Sequence, residues 1–440
     1  MKPILSNMLW VPRNTLQDEE TLKKDLVVHP RAGLEDVKPI KSHKETDSYL
    51  GIPRNYPFQI EAEDQRVKGE PQNFQFKGEL RNFQAELIDR WKQSFNKGHS
   101  DWIIGAEVGS GKTVMSLQIA SEIGLPFLVI VPLERLLGQW VEHINNFLGV
   151  PNGRVGRVQG DTCDYNNPAC VGMIQSISRD KYPEAFKNRF GLIIVDETQK
   201  VGADTFSEIA GMFPAYYRLG LSGTLDRNDG RENVYFYHLG KNILKAEGEE
   251  QPKPKVCTYK YNKSSGSIPT WPNQKQMQRR PKILNNIAAN KERNELIVNF
   301  ADQLMRKDLR VLVVSERIQQ LKELDKLLKI WYGYSEVGIY VSSTKEGKKT
   351  ELLNNAKCIL ATIQIINIGV DVPSLRGLIL ATPIADCRQV VGRIRRKCGS
   401  VPDPVVIDIQ DKAYKEAMGW GKKRMKFYQL KGFPIYEINK

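Results

Sequence analysis

Short apolar runs alternate with amphipathic stretches along the chain from residue 76 onward. Four of these runs have the length and composition of buried parallel strands: WIIG (102–105), FLVIV (127–131), LIIVD (192–196) and LGLSG (219–223). Apolar residues at helical spacing fill the stretches beside them, at 84–96, 112–122 and 134–147. Strands that alternate with helices are typical of βαβ units around a parallel sheet. The sequence therefore predicts an α/β domain here.

A second domain of the same kind follows after an interruption. Between about 241 and 282 the chain mixes Pro, Gly, Ser and basic residues, as a linker or an irregular insertion does. Predicted helices then resume at 291–306 and 318–330. Predicted strands accompany them at 311–315, 358–362, 377–381 and 405–409.

We expect an α/β protein with two tandem domains, each a parallel sheet flanked by helices. The first 70 or so residues are polar, with prolines and mixed charge runs, and we expect a small accessory region there. The predicted boundaries are 1–70 for the N-terminal accessory region, 71–245 for the first domain, 246–282 for the linker or insertion, and 283–440 for the second domain with its basic and aromatic tail.

The charge balance favours an anionic partner. The 440 residues carry a formal net charge of +14, and such a surface attracts polyanions and gains from counterion release. Nucleic acid is the first partner to consider, with a basic surface that serves only solubility as the alternative. No window holds the ~20 consecutive apolar residues of a membrane span, so we expect a cytoplasmic protein without a membrane partner. The six scattered cysteines include no CxxC pair and favour neither a zinc site nor a disulfide framework.

A candidate phosphate-binding loop, AEVGSGKT, lies between the strand at 102–105 and the helix at 112–122. Its glycines let backbone amides surround phosphates at a helix N-terminus, Lys112 reaches the β and γ phosphates, and Thr113 ligates magnesium. Ala106 departs from the first glycine of GxxxxGK[ST], and a chance Gly-rich turn is the alternative. The candidate nucleotide-binding residues are Ala106, Glu107, Val108, Gly109, Ser110, Gly111, Lys112 and Thr113.

Two carboxylates end the apolar run at 192–196, about 80 residues after the loop. A buried strand that ends in acidic residues is costly unless they have a function, although such ends also cap helices. Asp196 is a candidate to hold magnesium through its water shell, and Glu197 to orient and deprotonate the attacking water. Together with the loop, this pair predicts an ATP hydrolase with ATP and Mg²⁺ as cofactors.

Residues 76–400 resemble the superfamily 2 helicases, which implies two tandem RecA-like domains. LRNFQ (80–84) resembles the adenine-recognising motif, which implies that Arg81 and Gln84 contact the base. DETQ (196–199) resembles motif II, although its last two residues depart from the DEAD and DEAH forms. SGT resembles motif III, which implies that the coupling residues between nucleotide and nucleic acid are Ser222, Gly223 and Thr224.

The second domain carries two further motifs of this resemblance. The segment 362–371 resembles motif V, which implies that Gly369 and Asp371 face the nucleotide. QVVGRIRR resembles motif VI, which implies that Arg393 and Arg396 are arginine fingers and that Gln389 lies near the phosphate or the water. Such fingers contribute on the order of 10³ to 10⁵ in rate. A basic helix face that is solvated or bound to DNA is the alternative, and Arg395 in particular suits that role.

The resemblance also implies a sequence-independent nucleic-acid track across both domains. The candidate contacts are Arg135 and Gln139 (motif Ia), Gln175 and Ser176 (motif Ib), Ser315 and Arg317 (motif IV) and Thr362. Simple surface or capping roles are the alternative for each. The tail at 420–431 and the segment 271–282 interleave basic and aromatic residues, which suits a clamp on nucleic acid or a solvated helix with its aromatics turned inward.

The sequence thus predicts an ATP-dependent helicase or translocase that acts on forked, branched or single-stranded DNA. It is most similar to DNA repair helicases and to phage branch-migration and recombination helicases, so host cytoplasm is expected if the protein is from a phage. We expect a monomer, and the identity of any protein partner stays open. The alternatives are a double-strand DNA translocase without strand separation, an RNA helicase, and a nucleic-acid-binding module that has lost turnover.

Overall fold

The protein folds into two compact units, Met1–Glu249 (unit 1) and Glu250–Lys440 (unit 2). The computed structural model describes residues 1–31, 37–107, 109–150, 154–198, 203–223, 230–246, 251–263, 276–369, 374–395 and 402–438. Within these ranges no helix combines the length and the apolarity that crossing a membrane requires.

The N-terminal region of unit 1 is a small folded layer. Its elements are β1 (Ile4–Leu5), β2 (Leu9–Pro12), α1 (Glu19–Asp25), β3 (Val27–Val28), β4 (Ile40–Lys41), β5 (Lys44–Glu45), β6 (Tyr49–Ile52) and β7 (Glu63–Asp64). Five strands form a sheet in the order β5-β6-β2-β1-β7, and β3 pairs with β4. Leu9, Val11, Leu26, Leu50 and Ile52 form its core.

Buried arginines fasten this layer to the rest of unit 1. Arg54 pairs with the buried Asp101 and donates to the carbonyl of Ala215 at 2.7 Å. Arg218, which is itself buried, donates to the carbonyl of Asn7 at 2.6 Å. The N-terminal layer is therefore an integral part of unit 1.

The main sheet of unit 1 has eight strands. They are β8 (Asp101–Gly105), β9 (Phe127–Val131), β10 (Gly156–Gln159), β11 (Thr162–Cys163), β12 (Ala169–Met173), β13 (Leu192–Val195), β14 (Tyr217–Ser222) and β15 (Ile243–Lys245). Their order is β11-β10-β12-β9-β13-β14-β8-β15, and every pair except β10 with β11 is parallel. Alternate residues face opposite sides, so that Phe127 and Val129 join one core and Leu128 and Ile130 the other.

Within the described ranges of unit 1, seven helices accompany this sheet. They are α2 (Asn82–Asn96), α3 (Lys112–Ile123), α4 (Glu134–Phe147), α5 (Ile174–Ile177), α6 (Glu184–Lys187), α7 (Ala203–Ala210) and α8 (Asn233–Leu239). The bounds of α2, α3 and α4 follow the predicted helices to within two residues at either end. In α2 and α4 the apolar residues form one clear face.

Unit 2 contains a seven-stranded parallel sheet. Its strands are β16 (Lys255–Tyr261), β17 (Arg310–Ser315), β18 (Val337–Tyr340), β19 (Cys358–Thr362), β20 (Leu375–Leu380), β21 (Val405–Asp411) and β22 (Ile435–Glu437). Their order is β18-β19-β17-β20-β21-β16-β22. The helices are α9 (Gln276–Ala289), α10 (Lys291–Arg306), α11 (Ile318–Tyr332), α12 (Glu346–Asn355), α13 (Ile363–Gly369), α14 (Arg388–Ile394) and α15 (Lys415–Leu430).

The α/β class with two parallel sheets is confirmed, but the segment 246–282 is not simply a linker. It contains β16, which pairs in parallel with both β21 and β22. The strand escapes recognition because one of its three buried residues is the polar Thr258, and because lysines occupy its first and sixth positions. The same segment contains the start of α9, which continues past Pro281.

Two buried ion pairs hold helices of unit 2 to strand β21. Arg424 of α15 donates to both carboxylate oxygens of Asp408, at 2.8 and 2.7 Å. Arg293 of α10 does the same to Asp411, at 2.7 and 3.0 Å. Each pair is bidentate and fully desolvated, and removal of one partner from such a pair typically costs about 3–5 kcal/mol. The orientations of α10 and α15 are therefore set by charge as well as by apolar packing.

Unit 1 buries a histidine behind its main sheet. His238 is fully buried, and its Nε2 lies 3.2 Å from the Ser207 hydroxyl. Burial lowers the pKa of His238 well below its ordinary value, and the nearby charge of Arg218 lowers it further. The folded protein therefore keeps this imidazole neutral at a pH where the unfolded chain protonates it.

This difference predicts that unit 1 loses stability as the pH falls below about 6.5, the ordinary histidine pKa. The unfolded state then binds a proton that the folded state excludes, and His238 contributes up to about 1.4 kcal/mol per pH unit to the loss. His238→Gln should flatten the pH dependence of the urea midpoint between pH 7.5 and 5.5. The control is His99→Gln, which removes an exposed imidazole; equal slopes in both variants would contradict the prediction.

Candidate nucleotide site and nucleic-acid contacts

The phosphate loop connects the end of β8 to the start of α3. Gly109 and Gly111 adopt left-handed backbone angles, with φ of 84° and 81°, which side chains disfavour. The amide of Ala106 donates to the carbonyl of Ser222 at 3.1 Å, so the loop begins beside the end of β14. Ligands bind at this carboxyl edge in open α/β sheets. Val108 lies outside the described residues.

Lys112 opens α3 and folds back across the loop. Its Nζ donates to the carbonyl of Ala106 at 2.8 Å and to that of Glu107 at 3.2 Å. The ammonium is therefore held at the N-terminus of α3, where the helix dipole also favours an anion.

Gln84 supports the loop from α2. The side chain is buried, its Nε2 donates to the carbonyl of Ser110 at 2.8 Å, and its Oε1 accepts from the amide of Arg81 at 2.9 Å. Both polar atoms of the amide thus bind backbone. A base contact by Arg81 and Gln84 stays a prediction, whereas the observed bonds assign Gln84 a bracing role.

Asp196 directly follows β13 and is buried. Its Oδ1 accepts from the amide of Glu197 at 2.8 Å, and its Oδ2 accepts from the indole Nε1 of Trp140 at 2.9 Å. Burial raises the pKa of Asp196 to about 6, and the charge of Glu197 adds to this rise. The bond from Trp140 and the charge of Lys112 oppose it. The carboxylate is therefore mostly ionised at neutral pH despite its burial.

The two residues after Asp196 differ in their local geometry and contacts. Glu197 has a φ of 50°, a left-handed angle that is uncommon and costly for a residue with a side chain. Thr198 is buried, and its hydroxyl donates to the carbonyl of Leu221 at 3.2 Å. The departure from the DEAD and DEAH forms thus places a hydroxyl where it binds strand β14. Gln199 lies outside the described residues.

The motif III residues follow the same strand. Ser222 is buried at the end of β14 and pairs in register with Gly105 of β8. Gly223 comes next, and Thr224 lies outside the described residues. Ser222 is thus adjacent to the phosphate loop, while its coupling role stays a prediction.

The candidate track residues of unit 1 lie on α4 and α5. Arg135 and Gln139 are half-buried on α4. Gln175 donates to the carbonyl of Pro132 at 2.9 Å, and Ser176 accepts from the amide of Gly160 at 2.9 Å. Gln175 and Ser176 therefore bind backbone groups of neighbouring connections, and nucleic-acid contacts by all four stay predictions.

The candidate track residues of unit 2 lie at the ends of β17 and β19. Ser315 is buried, donates to Gln320 at 2.7 Å and accepts from the amide of Arg317 at 2.9 Å. The Arg317 guanidinium donates to the carbonyl of Pro281 at 3.2 Å. Thr362 is buried and pairs in register with Ser315. These residues form one polar edge of the unit 2 sheet, next to α9.

Motifs V and VI are partly described. Gly369 ends α13, and Gln389 and Arg393 lie on α14, where Gln389 is half-buried and Arg393 is 8% exposed. Asp371 and Arg396 lie outside the described residues. Arg395 is buried, and its Nε donates to the carbonyl of Pro252 at 3.1 Å. Its guanidinium lies 5.0 Å from the centroid of the Phe433 ring. A solvated face is therefore wrong for Arg395, which packs within unit 2.

Trp140 is the site residue that the sequence did not reveal. It is 2% exposed on α4, one position after the candidate contact Gln139. Buried indoles usually find a hydrogen-bond acceptor, but the acceptor lies 56 residues away in the chain. A tryptophan on a predicted helix next to the loop was the available signal, and only the fold identifies its partner.

Comparison with known proteins shows what the chain is similar to. Residues 77–227 match the family described as type III restriction enzyme, res subunit. Protein L396 of Acanthamoeba polyphaga mimivirus, named as an ATP-dependent RNA helicase, is 28% identical over 99% of this chain and 86% of its own length. The DNA 3'-5' translocase XPB2 of Sulfurisphaera tokodaii is 31% identical over 42% of this chain and 40% of its own. These matches support the predicted resemblance to the superfamily 2 helicases.

Solved structures agree with this at the level of the fold. A fragment of an HsdR subunit of a type I restriction enzyme from Vibrio vulnificus matches with a TM-score of 0.58 and 18% identity, over 83% of this chain and 69% of that chain. The Pyrococcus furiosus Hef helicase domain matches with a TM-score of 0.50 and 14% identity, over 77% of this chain and 99% of that chain. The tandem RecA-like fold is confirmed. The matched family and the helicase relatives support the predicted class of ATP hydrolase.

The bracing of the loop by Gln84 generates a test. A Cβ at Gly111 would lie 2.3 Å from the Gln84 Nε2, so Gly111→Ala should displace the loop and weaken nucleotide binding by about tenfold or more, at roughly 1.4 kcal/mol per factor of ten. The control is Gly98→Ala, which has a φ of 85° and no neighbour within 4 Å. Fluorescent-nucleotide titration and the melting temperature separate the effects. Equal nucleotide affinities in the two variants would contradict the bracing role.

Proposed function

We propose that this protein is an ATP- and Mg²⁺-dependent motor on DNA that unwinds or branch-migrates forked or branched substrates. The observation that carries the proposal is the meeting of Lys112, Asp196 and Ser222 at one edge of the unit 1 sheet. Strands β13, β14 and β8 are neighbours there. A single chain supplies both the phosphate loop and the motif VI arginines, so we propose that a monomer suffices.

The donor set at this edge fits magnesium. The carboxylate of Asp196 and the hydroxyl of Thr113 are hard oxygen donors of the kind that Mg²⁺ prefers. Among the described residues no group of three acidic, His or Cys side chains forms a metal cage. This agrees with an ion that is held by one or two protein groups and by the substrate phosphates. When bound, Mg²⁺ neutralises charge on the phosphates.

The roles of the protein residues follow from their positions and chemistry. Lys112 binds the β and γ phosphates, and Glu197 orients the attacking water and accepts its proton. Arg393 and Arg396 act as arginine fingers on the γ phosphate, with Gln389 beside them. Gly369 and Asp371 are proposed to contribute to nucleotide binding. These assignments rest on the resemblance of each motif.

The choice of DNA as substrate rests on charge and on one relative. The net charge of +14 favours a polyanion, and XPB2 is named as a DNA translocase. The name of L396 favours RNA as a second candidate, and a double-strand translocase without unwinding is the third. The track contacts are proposed to be phosphate contacts, which do not depend on sequence.

Helix α15 supplies an additional basic surface on unit 2. Tyr428 and Arg424 are buried, whereas Lys422, Lys423 and Lys426 are exposed. In the tail at 420–431 the lysines thus face solvent and Tyr428 faces inward, as the solvated-helix alternative predicted. Because the Arg424–Asp408 pair fixes the helix, the three lysines present a rigid cationic face. We propose that this face, here called the α15 lysine face, binds nucleic-acid phosphates.

The first test of the function is ATP hydrolysis by the whole protein alone and with single-stranded DNA, duplex DNA, forked DNA and matched RNA. We expect the largest stimulation from forked DNA, together with strand displacement. Glu197→Gln should lower the stimulated rate by about 10² to 10⁴, as loss of a general base does. Stimulation by RNA alone would favour the RNA helicase, duplex stimulation without displacement would favour the translocase, and no stimulation would overturn the motor.

Lys112→Ala separates phosphate binding from strand binding. The variant should lose turnover while DNA affinity stays within about twofold of wild type, because the loop ammonium serves the nucleotide and DNA affinity comes from separate phosphate contacts. Fluorescence anisotropy with labelled forked DNA and a coupled hydrolysis assay measure the two activities. A comparable loss of both would show that the two functions share this residue.

Loss of the α15 lysine face should weaken DNA binding equally for unrelated sequences. Replacing the three lysines by alanine should reduce the slope of log affinity against log salt by up to about 3, at roughly 0.9 per phosphate contact. A charge-matched control replaces three lysines of α11: Lys322, Lys326 and Lys329. A slope that changes equally in both triple variants would point to general charge and not to this face.

A further inference from the structure

Trp140 joins helix α4 to the carboxylate of motif II. Its indole is 2% exposed in the apolar core on one side of the unit 1 sheet. Its Nε1 donates to the Oδ2 of Asp196 at 2.9 Å, while Oδ1 accepts from the amide of Glu197 at 2.8 Å. One bond to each oxygen fixes the rotation of the carboxylate, and the bond from Trp140 is the one that comes from another element of the fold.

Helix α4 also carries the candidate strand contacts of motif Ia. Arg135 lies in its first turn, and Gln139 immediately precedes Trp140. The helix packs against α3, which begins at Lys112, and against β9 and β12. A shift of α4 that follows strand binding therefore moves the indole donor, and with it the preferred orientation of the Asp196 carboxylate.

We infer that Trp140 is a positioning residue, whose indole N–H holds Asp196 in the orientation that Mg²⁺ requires and couples α4 to the nucleotide site. The coupling half of this inference rests on the proposed nucleic-acid function, and the positioning half rests on the hydrogen bond alone. Partners of this kind, which orient a metal-binding carboxylate, typically change metal affinity by about 10- to 100-fold when they are removed.

The chain offers a matched control for this bond. Trp91 of α2 is 1% exposed in the same apolar core, and its Nε1 has no hydrogen-bond partner among the described residues. Trp140→Phe and Trp91→Phe therefore remove the same buried ring volume, but only the first removes a donor to Asp196. An effect of lost packing should appear in both variants, whereas an effect of losing the hydrogen bond to Asp196 should appear only in Trp140→Phe.

The experiment uses the full chain and a fluorescent, non-hydrolysable ATP analogue titrated over a range of Mg²⁺ concentrations. In Trp140→Phe we expect the half-saturating Mg²⁺ concentration for analogue binding to rise by about 10-fold or more, with analogue affinity in EDTA unchanged. Stimulation of hydrolysis by forked DNA should fall relative to the basal rate. Trp91→Phe should match wild type in both measurements, even where its melting temperature falls.

Benzothienylalanine at position 140 keeps the measurement interpretable if Trp140→Phe folds poorly. This analogue preserves the bicyclic ring and replaces the N–H with sulfur, so it removes the donor without leaving a cavity. It should reproduce the Mg²⁺ shift. An unchanged Mg²⁺ dependence in either donor-free variant, or an equal shift in Trp91→Phe, would overturn the positioning role.

The coupling is judged separately from the proposed function. If wild type responds to forked DNA and the donor-free variants respond by the same factor, the coupling is wrong although the motor stands. If wild type responds to no nucleic acid, the proposed function fails, and the Mg²⁺ titration still decides the role of Trp140.

Discussion

The arrangement of the site depends on one constraint, the parallel pairing of β13, β14 and β8 in adjacent positions. Parallel strands end at the same edge of a sheet, and the register pairs Val195 with Gly220 and Ser222 with Gly105. The phosphate loop therefore begins next to the acidic pair and motif III, although these lie about 80 to 110 residues further along the chain. The phosphate loop, the acidic pair and motif III need no long loops to reach each other.

Sequence pattern identified the long regular elements and the motifs, because each depends on local information. Helix α10 and strand β9 occupy the predicted residues, since their apolar positions are periodic or continuous. Strand β16 was not predicted because its lysines obscure the alternation of buried and exposed residues. Its pairing with β21 also depends on residues about 150 positions away in the chain. The sheet of the N-terminal layer was not predicted because its strands are only two to four residues long.

Within the site, sequence indicated which residues carry chemistry but not which residues hold them. Lys112 and Asp196 were recognisable from motifs, whereas the bonds from Trp140 and to Ser110 depend on which side chains the fold brings together. Gln84 shows this difference. Its position in the motif predicted a contact with the adenine base, whereas its side chain binds the phosphate loop. Buried polar atoms must find partners, and those partners become known only with the fold.

Strand β8 is held at both ends by different parts of the molecule. The phosphate loop follows its last residue, Gly105, and Arg54 of the N-terminal layer pairs with its first residue, Asp101. A fragment trimmed to the recognisable motifs would begin after residue 70 and would lack the cation that pairs with this carboxylate. The contacts that hold β8 in place thus extend beyond the shortest stretch of chain that contains every motif.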